Sequence, residues 1–423
     1  MYTVNSASPK GIVDAIPAKA HAHRALIAAA LADGTSTLLL AKRSADIDAT
    51  INSLRGIGTD VRHERHTVSV TPSACTAGRI DANESGTTLR LMLPVAASVC
   101  HRVSVTAKGR LPDRPLEPLL GEMMRHGVAF NVKKPPFTMS GRLQPGMFRM
   151  RGDVSSQFFS GLLLAAPNMG HTVIECIGNL ESFDYVRLTM QVMADFGVKV
   201  REYVSEDCSP KFIIEDGQSY KARDDYRIEG DWSNSAVWLV AAALTGNALS
   251  VRGLSIDSVQ ADRRILHILR DAGVECTSDA MTISVSGKAL HPFTADLTQM
   301  PDLLPVTSIL ACGIEGTSAF LNGARLRLKE SDRLQTVSDM ITALGGTVRI
   351  DGEDLYVTGT GKLRGGTVDC ANDHRLVMAG TLAALISETP VQLTDAHAVS
   401  KSYPTFFDDW NTAGGQAHEL SIR

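Results

Sequence analysis

A chain of 423 residues is long enough for two ordinary domains with substantial cores. Its net charge of -4, with 44% hydrophobic and 5% aromatic residues, excludes general nucleic-acid binding, so any cationic site must be local. The seven cysteines (Cys75, Cys100, Cys176, Cys208, Cys276, Cys312 and Cys370) are scattered without a CxxC pair, which predicts reduced thiols in a cytoplasmic protein and neither a disulfide frame nor a zinc site.

In chain order, the opening "MYTVNSASPKGIVDAIPAKAHAHRAL" holds no secretory apolar stretch, and no later run is long enough to cross a membrane, so no membrane partner is expected. A strand before Pro17 is expected to pair with the later half. Buried helices are predicted at "AHRALIAAALADG", "SGTTLRLMLPVAAS", "SSQFFSGLLLAAPNMG", "WSNSAVWLVAAALTG", "PDLLPVTSILACG" and "NDHRLVMAGTLAAL", each apolar on most faces and each opened by a polar cluster. Interleaved with them runs a second phrase, an amphipathic stretch, a glycine turn and a short strand. It reads "SLRGIGTDV", "MMRHGVAF", "MADFGVKV", "LRDAGVEC", "TALGGTVRI" and "NTAGGQAH". The two phrases recur in step about every seventy residues, an internal repeat in six copies. Strand and helix alternate throughout, which predicts an α/β fold with parallel pairings. Six units divide into two groups of three, with a crossover at "RIEGDW", residues 227–232.

The polar clusters at the helix starts hold His23 and Arg24; Gly86, Thr87 and Arg90; Ser155, Ser156 and Gln157; Asp302; and His374 and Arg375. If the repeats are related by rotation, these starts converge, and their N–H groups and dipoles favour an anion. "RLRLKESDRLQTV" sets Lys329, Glu330 and Arg333 at another helix start, and "GRLPDRPLEPLL" reads as a proline-opened helix with a solvated Arg114. His21, His23, His63 and His66 lack metal-ligand spacing, so no metal is expected.

The motifs "AKAHAHRALIAAALADG", "ESGTTLR", "GRLPDRP", "GDVSSQFFSGLLLAAP", "PDLLPVTSIL", "RLKESDR", "NDHR" and "SKSYPTFF" in this order make the chain similar to the 5-enolpyruvylshikimate-3-phosphate synthase family of enolpyruvyl transferases, from about Lys10 to about Trp410. The resemblance implies an inside-out α/β barrel in two domains, each of three βαβαββ repeats, closing like a clamp. The boundaries expected are 18–228 for the domain contacting mainly shikimate 3-phosphate, and 1–17 plus 229–423 for the other. It implies transfer of the enolpyruvyl group of phosphoenolpyruvate to the 5-hydroxyl of shikimate 3-phosphate, with release of phosphate, by a monomer that uses no cofactor and is inhibited by glyphosate.

Carried over residue by residue, the resemblance assigns phosphoenolpyruvate binding to Lys19, Gly86, Arg114, Gln157, Arg333, Arg375 and Lys401. Shikimate 3-phosphate contacts fall to Lys19, Arg24, Ser155, Ser156, Gln157, Ser182, Tyr185, Asp302 and Lys329. Asp302 matches the base, Glu330 the group that shuttles a proton to and from carbon, and Lys19 joins them in catalysis. Ala20 stands where the family usually has serine, and Glu84 and Arg325 where many members carry asparagine. The rival readings are UDP-N-acetylglucosamine enolpyruvyl transferase, whose usual loop cysteine "TAKGRLPDRP" lacks, and a noncatalytic anion-binding relative.

Overall fold

The computed structural model describes residues 1–204 and 209–420, so Cys208 lies outside the described residues. The chain divides into two compact units, a continuous one of Pro17–Ile228 and a discontinuous one of Met1–Ile16 with Glu229–Arg423.

Twelve α-helices lie among the described residues: α1 (Lys19–Ala30), α2 (Ala45–Gly56), α3 (Gly86–Val99), α4 (Leu119–Arg125), α5 (Ser156–Ala165), α6 (Phe183–Asp195), α7 (Trp232–Thr245), α8 (Ile265–Asp271), α9 (Leu304–Cys312), α10 (Arg333–Ala343), α11 (His374–Ala383) and α12 (Phe406–Thr412). The odd-numbered helices are the apolar ones. Every residue of α9 and α11 is buried, as is α7 from Trp232 to Leu244, because a helix without a polar face has nothing to offer water. The even-numbered helices each run into a turn with a glycine at positive φ: Gly58, Gly127, Gly197, Gly273, Gly345 and Gly414, between +81° and +99°. A Cβ is disfavoured there, so glycine ends the helix and aims the chain into the next strand.

Six four-stranded sheets complete the units. In one, Ala77–Asp81 lies parallel to Arg102–Thr106, which is antiparallel to Phe137–Ser140, itself antiparallel to Ala129–Phe130. This is the βαβαββ order, and the strands alternate buried and exposed residues, one face on the helices and one on water. Each unit has its own apolar core. The continuous unit closes on itself, since Tyr226–Arg227 lies parallel to Ser36–Leu39 of its first sheet. The N-terminal strands pair with the later half, as expected. Gly11–Asp14 lies parallel to Leu249–Arg252, and Tyr2–Val4 lies between Val391–Leu393 and Ala417–Glu419.

Three expectations need correction. Cys75 and Cys100 form a disulfide, with Cα atoms 5.1 Å apart, rather than standing as free thiols. The cause is register: the parallel pair Ala77↔Arg102 carries the residues two positions earlier, 75 and 100, side by side. Cys176, Cys276, Cys312 and Cys370 are free. "GRLPDRPLEPLL" does not open one helix at its first proline, since Leu111–Asp113 is a single 3-10 turn and α4 begins only at Leu119. Arg114, in the gap, is partly buried rather than solvated. Lys329 and Glu330 precede α10, which starts at Arg333 behind its cap Asp332.

Candidate functional site

In the continuous unit the sequence-predicted residues sit on helix starts. Lys19 opens α1 and its Nζ lies 2.9 Å from Asp46 Oδ2, at the start of α2. Five residues on, Arg24 is buried and ties three helices: Nε donates to Thr189 Oγ1 at 2.7 Å, NH1 to the Ala20 carbonyl at 2.7 Å, and NH2 to Ser160 Oγ at 3.2 Å and the Tyr185 carbonyl at 3.0 Å. A guanidinium has five N–H donors, so these bonds leave one uncommitted. Burial lowers its pKa to about 10, which leaves it charged at neutral pH.

Ser85 caps α3 through the Thr88 N–H, and Ser155 caps α5 through the Gln157 N–H. Gln157 bridges the two starts, donating Nε2 to Thr87 Oγ1 at 2.9 Å and accepting from Arg90 NH1 at 3.0 Å. Gly86 lies beneath two guanidinium groups, since a Cβ there would fall 2.8 Å from Arg114 NH1 and 2.9 Å from Arg90 NH1. Ser156 is buried in the first turn of α5. Ser182, also buried, precedes α6 in the left-handed region at φ +53°, and Tyr185 sits in that helix's first turn.

The discontinuous unit holds the carboxylates. Asp302 lies in the turn Pro301–Leu303 that leads into α9. Its Oδ1 accepts from Arg333 NH1 at 2.6 Å and from Lys329 Nζ at 3.2 Å, and its Oδ2 is 3.8 Å from Arg375 NH2. Burial opposes its charge, but Lys329, Arg333 and Arg375 outweigh that and hold the carboxyl well below its usual range. Lys329 is lowered by burial, though Asp302 works to raise it. Arg333 also donates to Glu330 Oε2 at 2.7 Å and to Asp373 Oδ2 at 2.8 Å. Arg375 is buried, and its Nε and NH1 have no hydrogen-bond partner among the described residues. Lys401 Nζ donates to the Asn372 carbonyl at 2.7 Å, beside the start of α11.

The structure therefore gathers Gly86, Arg114 and Gln157 in one unit, and Asp302, Lys329, Glu330, Arg333 and Arg375 in the other. Within the continuous unit Lys19 is tied to Asp46. Reading the sequence singled out neither Asp373 nor Asp46. Asp373 caps α11 and carries Arg333, and its signal was its place just before the buried run "HRLVMAGTLA".

Residues 5–410 match the EPSP synthase (3-phosphoshikimate 1-carboxyvinyltransferase) family. The chain is 37% identical to the 3-phosphoshikimate 1-carboxyvinyltransferase of Clostridium kluyveri, over 99% of each chain. It is 31% identical to that of Methanococcus aeolicus, over 96% of each. Among solved structures, EPSP synthase from Acinetobacter baumannii superposes with a TM-score of 0.80 at 21% identity, over 99% of each chain. The enolpyruvyl transferase NikO from Streptomyces tendae gives 0.77 at 19% identity, over 99% of this chain and 98% of that one. These two likenesses show the fold. With helix starts rich in anion donors, a cation-ringed carboxylate and a family match across nearly its whole length, the chain belongs to the EPSP synthase family.

Proposed function

We propose that the two clusters divide the charges of one reaction between them. The chain transfers the enolpyruvyl group of phosphoenolpyruvate to the 5-hydroxyl of shikimate 3-phosphate and releases phosphate. In this reading the donor phosphate is held by Lys19, Gly86, Arg114, Gln157 and Lys401, and the donor carboxylate by Arg333 and Arg375. The phosphate of the acceptor meets Ser155, Ser156 and Ser182. Its ring and carboxylate meet Gln157, Tyr185, Lys329 and, through its one uncommitted N–H, Arg24.

The observation that carries the reading is Arg375. Each buried donor left unmade costs about 1–3 kcal/mol, so a guanidinium kept with Nε and NH1 unpartnered is set up for anionic acceptors. Beside it, Asp302 takes the proton of the 5-hydroxyl as that oxygen attacks the enol carbon, and Glu330 delivers a proton to the methylene. The tetrahedral adduct then loses phosphate as Glu330 takes a proton back. While Lys329 and Arg375 face Asp302 without ligand, its carboxylate is a weak base. Substrate carboxylates that engage those cations raise its basicity when it is needed.

The chain acts as a monomer, since each cluster is built within one chain, and in the cytoplasm. Among the described residues no helix is long and apolar enough to cross a membrane. Phosphate release is measured with phosphoenolpyruvate and, in turn, shikimate 3-phosphate and UDP-N-acetylglucosamine. Release with the first acceptor alone is expected. Release with the second, or with neither, overturns the reading.

A further inference from the structure

Behind the first turn of α3 runs a buried chain of hydroxyls that none of the roles above uses. His23 Nδ1 is 2.6 Å from Thr50 Oγ1, Thr50 Oγ1 is 2.7 Å from Thr88 Oγ1, and Thr88 Oγ1 is 2.8 Å from Ser85 Oγ. All four side chains are buried, at 0%, 0%, 0% and 1% exposure. The chain starts one helical turn after Lys19 and ends on the cap residue immediately before Gly86.

The geometry is a ladder. Lys19 meets Asp46 and His23 meets Thr50, both at a separation of 27 residues, so one face of α1 lies in register on one face of α2. Thr88 joins the ladder to α3 through Thr50 and through the Asp46 carbonyl, 3.3 Å away. One proton per hydroxyl limits how the ladder can be filled. Ser85 Oγ accepts from the Thr88 N–H, the Thr88 hydroxyl has one proton for Ser85 Oγ or the Asp46 carbonyl, and the donor in the Thr50–Thr88 and His23–Thr50 bonds follows the His23 tautomer. Burial, with Lys19 and Arg24 nearby, keeps His23 neutral, so its ring holds a single proton. Its Nε2 has no partner among the described residues, so the ring is committed to this chain alone.

We propose that His23, Thr50, Thr88 and Ser85 form a positioning relay that locks the Lys19 end of α1 to the amides at Gly86 and so sets the geometry of the donor-phosphate subsite. Thr88 and Thr50 are positioning residues. They reach the phosphate only through Ser85, Gly86 and Lys19. The inference rests on the reading that Lys19 and Gly86 hold that phosphate.

The test is steady-state kinetics on Thr88→Val, Thr88→Ser and Lys19→Ala, with melting temperatures for each. Thr88→Val is expected to raise KM for phosphoenolpyruvate about tenfold, the scale of a buried hydrogen bond left unmade, with kcat and KM for shikimate 3-phosphate within about twofold of wild type. Thr88→Ser keeps the hydroxyl and should restore KM. If Thr88→Val fails to fold, Thr50→Val carries the same expectation. Equal losses for both substrates, an unchanged KM for phosphoenolpyruvate, or no rescue by serine overturns the relay. Lys19→Ala separates the two claims: if it leaves KM for phosphoenolpyruvate unchanged, the phosphate subsite itself is misassigned. If Lys19 matters and Thr88 does not, only the relay fails.

Discussion

Asp302 is a carboxylate whose neighbours make it both stable and unreactive. With its pKa held well below the usual range by Lys329, Arg333 and Arg375, it stays ionised in the free protein at any pH above that range. The ionised form is the base, so the acid limb of kcat/KM, which reports the free enzyme, should lie at low pH. The acid limb of kcat reports the complex, in which substrate has engaged Lys329 and Arg375, and should lie higher. Coincident limbs would remove substrate-tuned basicity. Asp302→Asn keeps the side chain's shape and one acceptor oxygen but cannot take up a proton, and should lower turnover by about 10²–10⁴-fold, with binding nearly intact. Turnover within twofold would mean another base. Gly86 poses a steric question instead. A methyl there would press on the ends of Arg90 and Arg114, 2.9 and 2.8 Å away, and both must shift. Glyphosate is one atom longer between its two anionic groups than phosphoenolpyruvate, so if it takes the same subsite Gly86→Ala should weaken glyphosate by about 1–3 kcal/mol, the scale of overpacking, and phosphoenolpyruvate by less. Inhibition and Michaelis constants on the mutant check this, and equal losses would sink it.

At the scale of elements, α10 and α11 are joined at their starts by one buried carboxylate. Asp373 is 0% exposed, caps Arg375 N at 2.9 Å, accepts from Ser331 Oγ at 3.0 Å and carries Arg333. Breaking a buried pair from one side costs about 3–5 kcal/mol, and Asp373→Ala should lower stability by that amount in urea unfolding. A loss under about 1 kcal/mol would mean that Asp302 and Glu330 alone balance Arg333. What was legible in the sequence has the same local character as these caps. The twelve helices announce themselves through apolar runs and glycine turns, which are properties of neighbouring residues. The helix-start residues Gly86, Gln157 and Arg375 were legible for that reason. Register was not. The disulfide depends on parallel pairing of Ala77–Asp81 with Arg102–Thr106, and the scatter of the cysteines gave no sign of it. Nor could the sequence say that Arg24 spends four of its donors on Thr189, Ser160, Ala20 and Tyr185, since three of those partners lie 136 to 165 residues away.

Across the whole molecule, the path of the chain makes the two units unequal. Residues 17–228 contain every strand of three sheets, including the closing pair of Tyr226–Arg227 with Ser36–Leu39, and a core of their own. The rest depends on sixteen residues from the far end of the chain. Tyr2–Val4 is an interior strand, paired on both sides, with Val4 fully buried and Tyr2 stacked on Phe407 at 4.0 Å. Without it, Val391–Leu393 and Ala417–Glu419 lose their common partner, and without Gly11–Asp14 the sheet of Leu249–Arg252 loses its parallel edge. Residues 17–228 alone should therefore unfold in one cooperative urea transition, while 229–423 alone should not. The Ile16 carbonyl accepts from Asp231 N at 2.9 Å, so the two pieces of the discontinuous unit already meet where they would be joined. A chain that links residues 1–16 to Glu229 through a short glycine segment should recover a cooperative transition, followed by far-ultraviolet circular dichroism. If 229–423 unfolds cooperatively by itself, the N-terminal strands are an accessory to that unit and not part of its core.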